Sequence, residues 1–147
     1  IFDATPNDFV SGEIERAIIN CNKDSNPDLI FLEGQSSLRN PSGPCGTEFL
    51  ISGNVDGVVL QHSPKRKFYD GWEHVNAVMP SLQSEIELIN SFDKEVLAIT
   101  LNTQGMTDQE KLYHKKIIFE DFKIPVFLPI DEGLNGINKV LSDKYDN

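Results

Sequence analysis

The sequence predicts an α/β domain built around a mostly parallel β-sheet. Short, uninterrupted apolar runs are typical of parallel strands that are buried on both faces. Amphipathic helical segments separate these runs, and this alternation favours βαβ units with right-handed crossovers and helices on both faces of the sheet. The predicted strands are residues 28–33, 57–62, 96–101 and 126–128.

Four helices are predicted between and around the strands, from apolar residues that recur at helical spacing. Asn7 or Asp8 is expected to cap the first helix with a side-chain oxygen. Thr107 and Glu110 have the spacing of a capping box, in which each side chain accepts from the other residue's backbone N–H. The predicted helices are residues 7–21, 81–90, 107–122 and 132–145.

The composition excludes several kinds of partner. The 147 residues carry a net charge of −10, which disfavours both nucleic acid and anionic membrane surfaces, because these attract basic proteins. No apolar run is long enough to span a bilayer. The two cysteines, Cys21 and Cys45, do not form a disulfide framework and are expected to be reduced in the cytoplasm. These features favour a cytoplasmic protein that acts on a small molecule, and homo-oligomerisation stays open.

The loop after the first predicted strand is the main candidate site, because ligands of open α/β sheets bind outside the carboxyl ends of the strands. Glu33 ends that strand, where a carboxylate serves as a general base or a Mg²⁺ ligand. Alternatively, Glu33 caps the following turn and Arg39 neutralises it. Turn-forming and hydrogen-bonding residues that suit an anion follow it, namely Gly34, Gln35, Ser36, Ser37 and Arg39.

Other candidates lie elsewhere in the chain. His62 ends the second predicted strand, where it is either a general base or a plain loop residue. The basic run 65–67 suits the 3′-phosphate of coenzyme A or is a solvated turn. Trp72 is either an interface anchor or ordinary packing, and His74 and His114 are expected at the surface.

Four motifs follow one another along the chain, namely Asp8–Gly12, Glu33–Gln35, Asp56–His62 and Ile99–Thr103. Together they resemble a bacterial family long catalogued as of unknown function and associated with D-glutamate N-acetyltransferase activity. The segment from Pro27 to Leu38 is also similar to the strand-Glu-Gly segment of dethiobiotin synthetase-like and cobyrinate amidase-like P-loop enzymes.

The resemblance implies a three-layer P-loop NTPase-like fold, with residues 1–147 as a single C-terminal domain. It implies a metal or nucleotide role for Glu33, a ligand-facing role for Asn102 and a position near the ligand for Asp8. The chain opens on Ile1 as if at the end of a strand, and it contains no Gly-Lys pair. The N-terminal strand and the phosphate-binding loop are therefore expected upstream, in an N-terminal domain that this fragment would need for activity.

Three functions follow as alternatives. The first is an N-acetyltransferase that acts on D-glutamate or a similar D-amino acid with acetyl-CoA, with Glu33 or His62 as the base. The second is an enzyme of the dethiobiotin synthetase type, in which ATP and Mg²⁺ activate a carboxylate. The third is a ligand-binding or regulatory module without chemistry.

Overall fold

The computed structural model describes residues 5–34, 37–41 and 45–146. The chain divides into two compact units, Ile1–Asp56 and Gly57–Asn147. Each unit is described by itself.

The described part of the first unit contains two helices. Helix α1 (Asn7–Ser25) buries Val10 and Ile14, which lie about one turn apart on one face. Helix α2 (Cys45–Ile51) contacts α1. The Ser52 hydroxyl follows α2 directly and lies 2.9 Å from Glu48 Oε2 and 2.8 Å from the Ser11 hydroxyl of α1. This polar cluster fixes the two helices to each other.

The start of α1 differs from the expectation. Pro6 occupies the N-cap position and no side chain caps the helix, so the predicted cap by Asn7 or Asp8 is wrong. The physical reason is that Pro6 supplies a backbone acceptor instead, since its carbonyl accepts from Phe9 N at 2.9 Å. The helix also runs four residues past its predicted end and stops where Asn26 adopts a left-handed conformation (φ 42°).

The segment predicted as the first strand, residues 28–33, is not assigned as a strand in the structure. Its apolar residues alternate in exposure: Leu29 and Phe31 are exposed, whereas Ile30 and Leu32 are partly buried. A strand exists only through hydrogen bonds to a neighbouring strand. Among the described residues, no segment pairs with 28–33, which is why an apolar run alone does not make a strand here.

A parallel three-stranded sheet organises the second unit. Strands β1 (Gly57–His62), β2 (Glu95–Leu101) and β3 (Val126–Phe127) lie in the order β1-β2-β3, and both pairings are parallel. The predicted α/β class with a parallel sheet is therefore confirmed. Strand β2 is in the middle and is buried from Val96 to Leu101, with Ala98 and Ile99 fully inaccessible to solvent.

Three helices of the second unit pack against this sheet. Helices α3 (Leu82–Ser91) and α6 (Asn135–Tyr145) contact β2, and α4 (Asp108–Phe122) contacts β3. Helix α4 begins at the predicted capping box, in which both reciprocal hydrogen bonds between Thr107 and Glu110 are present. The single helix predicted for residues 132–145 is instead two helices, because Gly133 lies at φ 72° and interrupts the chain. The helices are α3 (Leu82–Ser91), α4 (Asp108–Phe122), α5 (Pro129–Glu132) and α6 (Asn135–Tyr145).

Candidate functional site

The carboxyl ends of β1 and β2 bring two predicted site residues together. His62 is the last residue of β1 and is in register with Leu101 of β2. The His62 carbonyl oxygen accepts a hydrogen bond from Asn102 N at 2.8 Å, so the two residues are neighbours across the ladder. Parallel strands end at a common edge, and here the backbone of His62 meets the backbone of Asn102 at that edge.

The surroundings of His62 favour its neutral form. Its side chain is partly buried, and this burial lowers the pKa of the imidazole below its ordinary value. The nearby His114 lowers the pKa of His62 further, because two positive charges at this edge repel each other. A neutral imidazole at pH 7 has a free lone pair, which is what a general base requires.

His114 was expected to be a plain surface residue, yet it is half-buried in α4 and acts on His62. Its ring also packs edge-on against Tyr113, with 5.5 Å between centroids. The sequence places His114 one turn after Glu110, on the same side of α4, but it does not show which side of α4 faces β1.

The backbone around Asn102 forms a tight turn. Asn102 Oδ1 accepts from Gln104 N at 3.0 Å, and Thr103 O accepts from Met106 N at 3.0 Å. Gly105 completes the turn at φ 72°, a conformation that other residues rarely adopt. The carboxamide oxygen of Asn102 is therefore occupied, and its NH₂ group is left as a donor at the strand end.

A salt bridge joins the loop after β1 to the start of α4. Lys65 Nζ lies 2.7 Å from Glu110 Oε1 and donates to Gly105 O at 2.8 Å. Glu110 Oε2 accepts from Thr107 N at 2.7 Å and from Thr107 Oγ1 at 2.9 Å. These bonds, that from Lys65 foremost, lower the pKa of Glu110 to about 2. One carboxylate thus ties together both loops that follow the sheet.

The remaining predicted site residues lie in the first unit. Asp8 is exposed in the first turn of α1, Glu33 and Gly34 are exposed, and Arg39 is exposed and engaged in an interaction. Gln35 and Ser36 lie outside the described residues.

Ser37 is partly buried. Its hydroxyl oxygen is inaccessible to solvent and has no hydrogen-bond partner in the described structure. The backbone here runs directly against α2, since a Cβ on Gly46 would lie 2.8 Å from Leu38 Cα. The predicted convergence of Glu33 with His62 and Asn102 concerns both units and stays a prediction.

An open cavity of about 460 Å³ lies between α4 and β3, apart from these polar groups. Its walls are mostly apolar, and one of its two lysines, Lys115, is paired with Glu132. The other, Lys116, lies 3.7 Å from Glu120, and neither His62 nor Asn102 lines the cavity. The cavity is lined by Leu112, Lys115, Lys116, Phe119, Pro125, Val126 and Phe127.

Two features are absent from the described residues, a cluster of metal-ligating side chains and a membrane-spanning helix. No three or more His, Cys, Asp or Glu side chains cluster there in a way that suits a metal ion. No helix in that part of the chain is long and apolar enough to cross a membrane.

The fold and the strand-end residues define an α/β domain of the kind that holds ligands at the carboxyl edge of a parallel sheet. Residues 1–138 match the family model described as "Domain of unknown function (DUF1611_C) P-loop domain", and the chain belongs to this family. It is similar to the crystal structure of a DUF1611 family protein from Anabaena variabilis ATCC 29413, with a TM-score of 0.84 and 20% identity. That match covers 97% of this chain but only 43% of the other. No curated protein matches the chain.

Proposed function

We propose that the chain is the C-terminal domain of an N-acetyltransferase that transfers an acetyl group from acetyl-CoA to D-glutamate or a similar D-amino acid. One observation carries this proposal: His62, whose imidazole pKa is lowered by burial, ends β1 at the carboxyl edge of the sheet, and its backbone carbonyl bonds to the backbone N–H of Asn102. An amine attacks an acyl group only after its ammonium has lost a proton, and a neutral histidine is suited to accept it.

In the proposed reaction the substrate nitrogen attacks the thioester carbonyl carbon. The new C–N bond forms, the C–S bond breaks, His62 takes the ammonium proton, and a proton passes to the departing thiolate of coenzyme A. In this proposal the NH₂ group of Asn102 stabilises negative charge on the carbonyl oxygen in the transition state.

The predicted site residues of the first unit enter the proposal by themselves. Glu33 is the alternative base, the loop from Gly34 to Arg39 binds a carboxylate of the substrate, and Asp8 binds its ammonium group. The unsatisfied hydroxyl of Ser37 supports this assignment, because a buried polar group without a partner is costly unless a ligand satisfies it. The protein's own N-terminal domain supplies the remaining contacts, and the free thiol of Cys21 fits a cytoplasmic enzyme.

A second candidate is favoured by the P-loop description of the matching family model. In this alternative the enzyme resembles dethiobiotin synthetase, ATP replaces acetyl-CoA, and Glu33 holds Mg²⁺. A non-catalytic ligand-binding module is the third alternative.

An assay of the full-length protein separates the candidates. Release of free thiol from acetyl-CoA that depends on D-glutamate supports acetyl transfer, whereas Mg²⁺-dependent ATP hydrolysis stimulated by a carboxylate substrate supports the second candidate. We expect His62→Gln to lower kcat/KM for acetyl transfer by about 100-fold or more, the usual effect of losing a general base. Unchanged turnover in a folded His62→Gln protein would remove the central argument.

A matched pair of variants tests Glu33. Glu33→Gln is expected to abolish turnover with little change in the melting temperature, because the side chain is exposed. Glu15→Gln makes the same chemical change at another exposed position of the first unit and is expected to leave turnover intact. A large loss of stability in Glu33→Gln alone would assign Glu33 a structural role instead.

A further inference from the structure

The connection between β1 and α3, residues 63–81, is long for an α/β unit. It leaves the sheet directly after His62, at the same edge as Asn102. We call residues 63–79 of this connection the 63–79 loop. The loop therefore begins at the proposed acyl-transfer site.

The 63–79 loop has a fixed shape although it contains little regular structure. Tyr69 N donates to Ala77 O at 3.0 Å and Met79 N donates to Lys67 O at 2.9 Å, which closes a short antiparallel hairpin. The Tyr69 side chain is buried and anchors this hairpin. Its tip turns through Gly71 at φ 79°. A loop that is already ordered loses little entropy when a ligand binds.

The outer part of the loop exposes aromatic and apolar surface. The rings of Trp72 and His74 stack at 6.3 Å between centroids with an interplanar angle of 22°. His74 is exposed, and so are Val75 (54%) and Val78 (57%). Aromatic rings presented in this way form a platform on which a planar base can stack.

The base of the loop carries the basic run 65–67 in a chain whose net charge is −10. Lys65 is held by Glu110, and the Lys67 ammonium lies 5.1 Å from the centroid of the Phe68 ring. The guanidinium of Arg66 is exposed and has no hydrogen-bond or ion-pair partner within the described part of the chain. Arg66 is therefore free to donate two parallel hydrogen bonds to a phosphate.

We propose that the 63–79 loop binds the adenosine phosphate portion of the acyl donor, with the purine stacked on Trp72 and His74 and a phosphate held by Arg66 and Lys67. The inference rests on the proposed function for the identity of the donor. The aromatic platform of Trp72 and His74 and the cation of Arg66 belong to the same ordered loop. This combination suits a ligand that has both a flat base and an anionic group. The reactive thioester end of the donor then extends toward His62.

The printed sequence contains a single tryptophan, which makes a direct test available. The probes are adenosine 3′,5′-bisphosphate, coenzyme A and pantetheine, the last of which lacks the nucleotide. In the full-length protein, the emission difference between wild type and Trp72→Phe isolates the signal of Trp72. We expect adenosine 3′,5′-bisphosphate and coenzyme A to change this signal and pantetheine to leave it unchanged.

Variants then assign the contacts. Arg66→Gln and His74→Ala are each expected to weaken binding of adenosine 3′,5′-bisphosphate and to raise KM for acetyl-CoA by about tenfold, the usual effect of losing a charge-assisted hydrogen bond or a stacking partner. KM for D-glutamate should not change. Lys139→Gln, at an exposed position of α6, removes one positive charge elsewhere and should leave all these values unchanged.

The possible results separate the two proposals. Acetyl transfer whose KM for acetyl-CoA is the same in wild type, Arg66→Gln and His74→Ala overturns the loop assignment and leaves the proposed function intact. Nucleotide binding that changes Trp72 emission without any acetyl transfer overturns the proposed function and leaves the loop as a nucleotide site. Absence of binding by both nucleotide probes overturns the loop assignment directly.

Discussion

The sheet that positions His62 and Asn102 depends on the middle strand, and replacing Ile99 by alanine tests that strand. Ile99 is fully buried in β2 and is in register with Leu60 of β1 and Val126 of β3. Its backbone N–H bonds to Pro125 O at 2.8 Å, an interaction that alanine retains. The substitution therefore removes only side-chain packing from the centre of the sheet.

The expected loss in the free energy of unfolding is about 2–5 kcal/mol for Ile99→Ala, because the removed methyl groups leave a cavity that the rigid sheet cannot close. Ile99→Val should cost about 0.5–1.5 kcal/mol, which gives a graded series. Ile130→Ala is the matched control: the same side chain is lost at a position that is 91% exposed, so the change should stay within about 0.5 kcal/mol.

Urea unfolding followed by far-UV circular dichroism measures all three variants. With a slope of about 1–3 kcal/mol per molar urea, a loss of 3 kcal/mol lowers the unfolding midpoint by about 1–3 M. Equal midpoints for Ile99→Ala and Ile130→Ala would refute the placement of β2 at the centre of the sheet. The site built on its carboxyl end would then lose its structural basis.

Three further predictions concern the cap of α4, His62 at the end of β1, and Glu110. Thr107→Ala should lower the free energy of unfolding by about 1 kcal/mol, measured in urea, because α4 loses its cap; no loss would contradict the capping box. Burial lowers the pKa of His62 in the folded protein, so the unfolded chain takes up a proton at a higher pH than the folded protein does. The free energy of unfolding should therefore decline as pH falls below about 6.5, and His62→Gln should flatten this decline. Equal pH profiles for the wild type and His62→Gln would contradict this prediction. The pKa of Glu110 lies at about 2 instead of 4.5, so its contribution to the free energy of unfolding is complete above about pH 4.5 and disappears as pH falls toward 2. Glu110→Gln should remove that part of the acid sensitivity. An acid transition that is the same in the wild type and in Glu110→Gln would contradict this prediction.

The elements that the sequence predicted well are those that local chemistry determines. The apolar run of β1 and the capping box of Thr107 and Glu110 need no information from elsewhere in the chain, and both are present as predicted. The parallel arrangement followed from the helices between the strands.

The elements that the sequence failed to predict depend on partners or on single backbone angles. The run 28–33 is apolar enough for a strand, but pairing is a property of two segments and cannot be seen in one. Helix α2 begins within a segment rich in glycine and proline, which favours a loop prediction. The break at Gly133 rests on one positive φ angle, and glycine only permits such an angle.

The candidate site shows the same division. The positions of His62 and Asn102 at one edge of the sheet were predictable, because parallel strands end at a common edge and both residues come at the end of apolar runs. His114 and the bond between Lys65 and Glu110 were not, because they depend on how α4 is rotated about its axis. Successive residues on a helix differ by 100° in direction, so a small error in this rotation exchanges a buried face for an exposed one.

Hydrogen bonding at the strand ends explains why we propose His62 and Asn102, and not Lys65, as the groups that act in acetyl transfer. The backbone groups of His62 and Asn102 bond to each other and fix both residues, while the imidazole and the NH₂ group keep their capacity to bind a ligand. Lys65 differs, since its ammonium already has a carboxylate and a carbonyl as partners. An incoming anion must compete with Glu110 for that ammonium, whereas it meets no such competition at Arg66. A group that is fixed by its backbone and free at its side chain is suited to the proposed catalysis, and His62 and Asn102 combine both properties among the described residues at this edge.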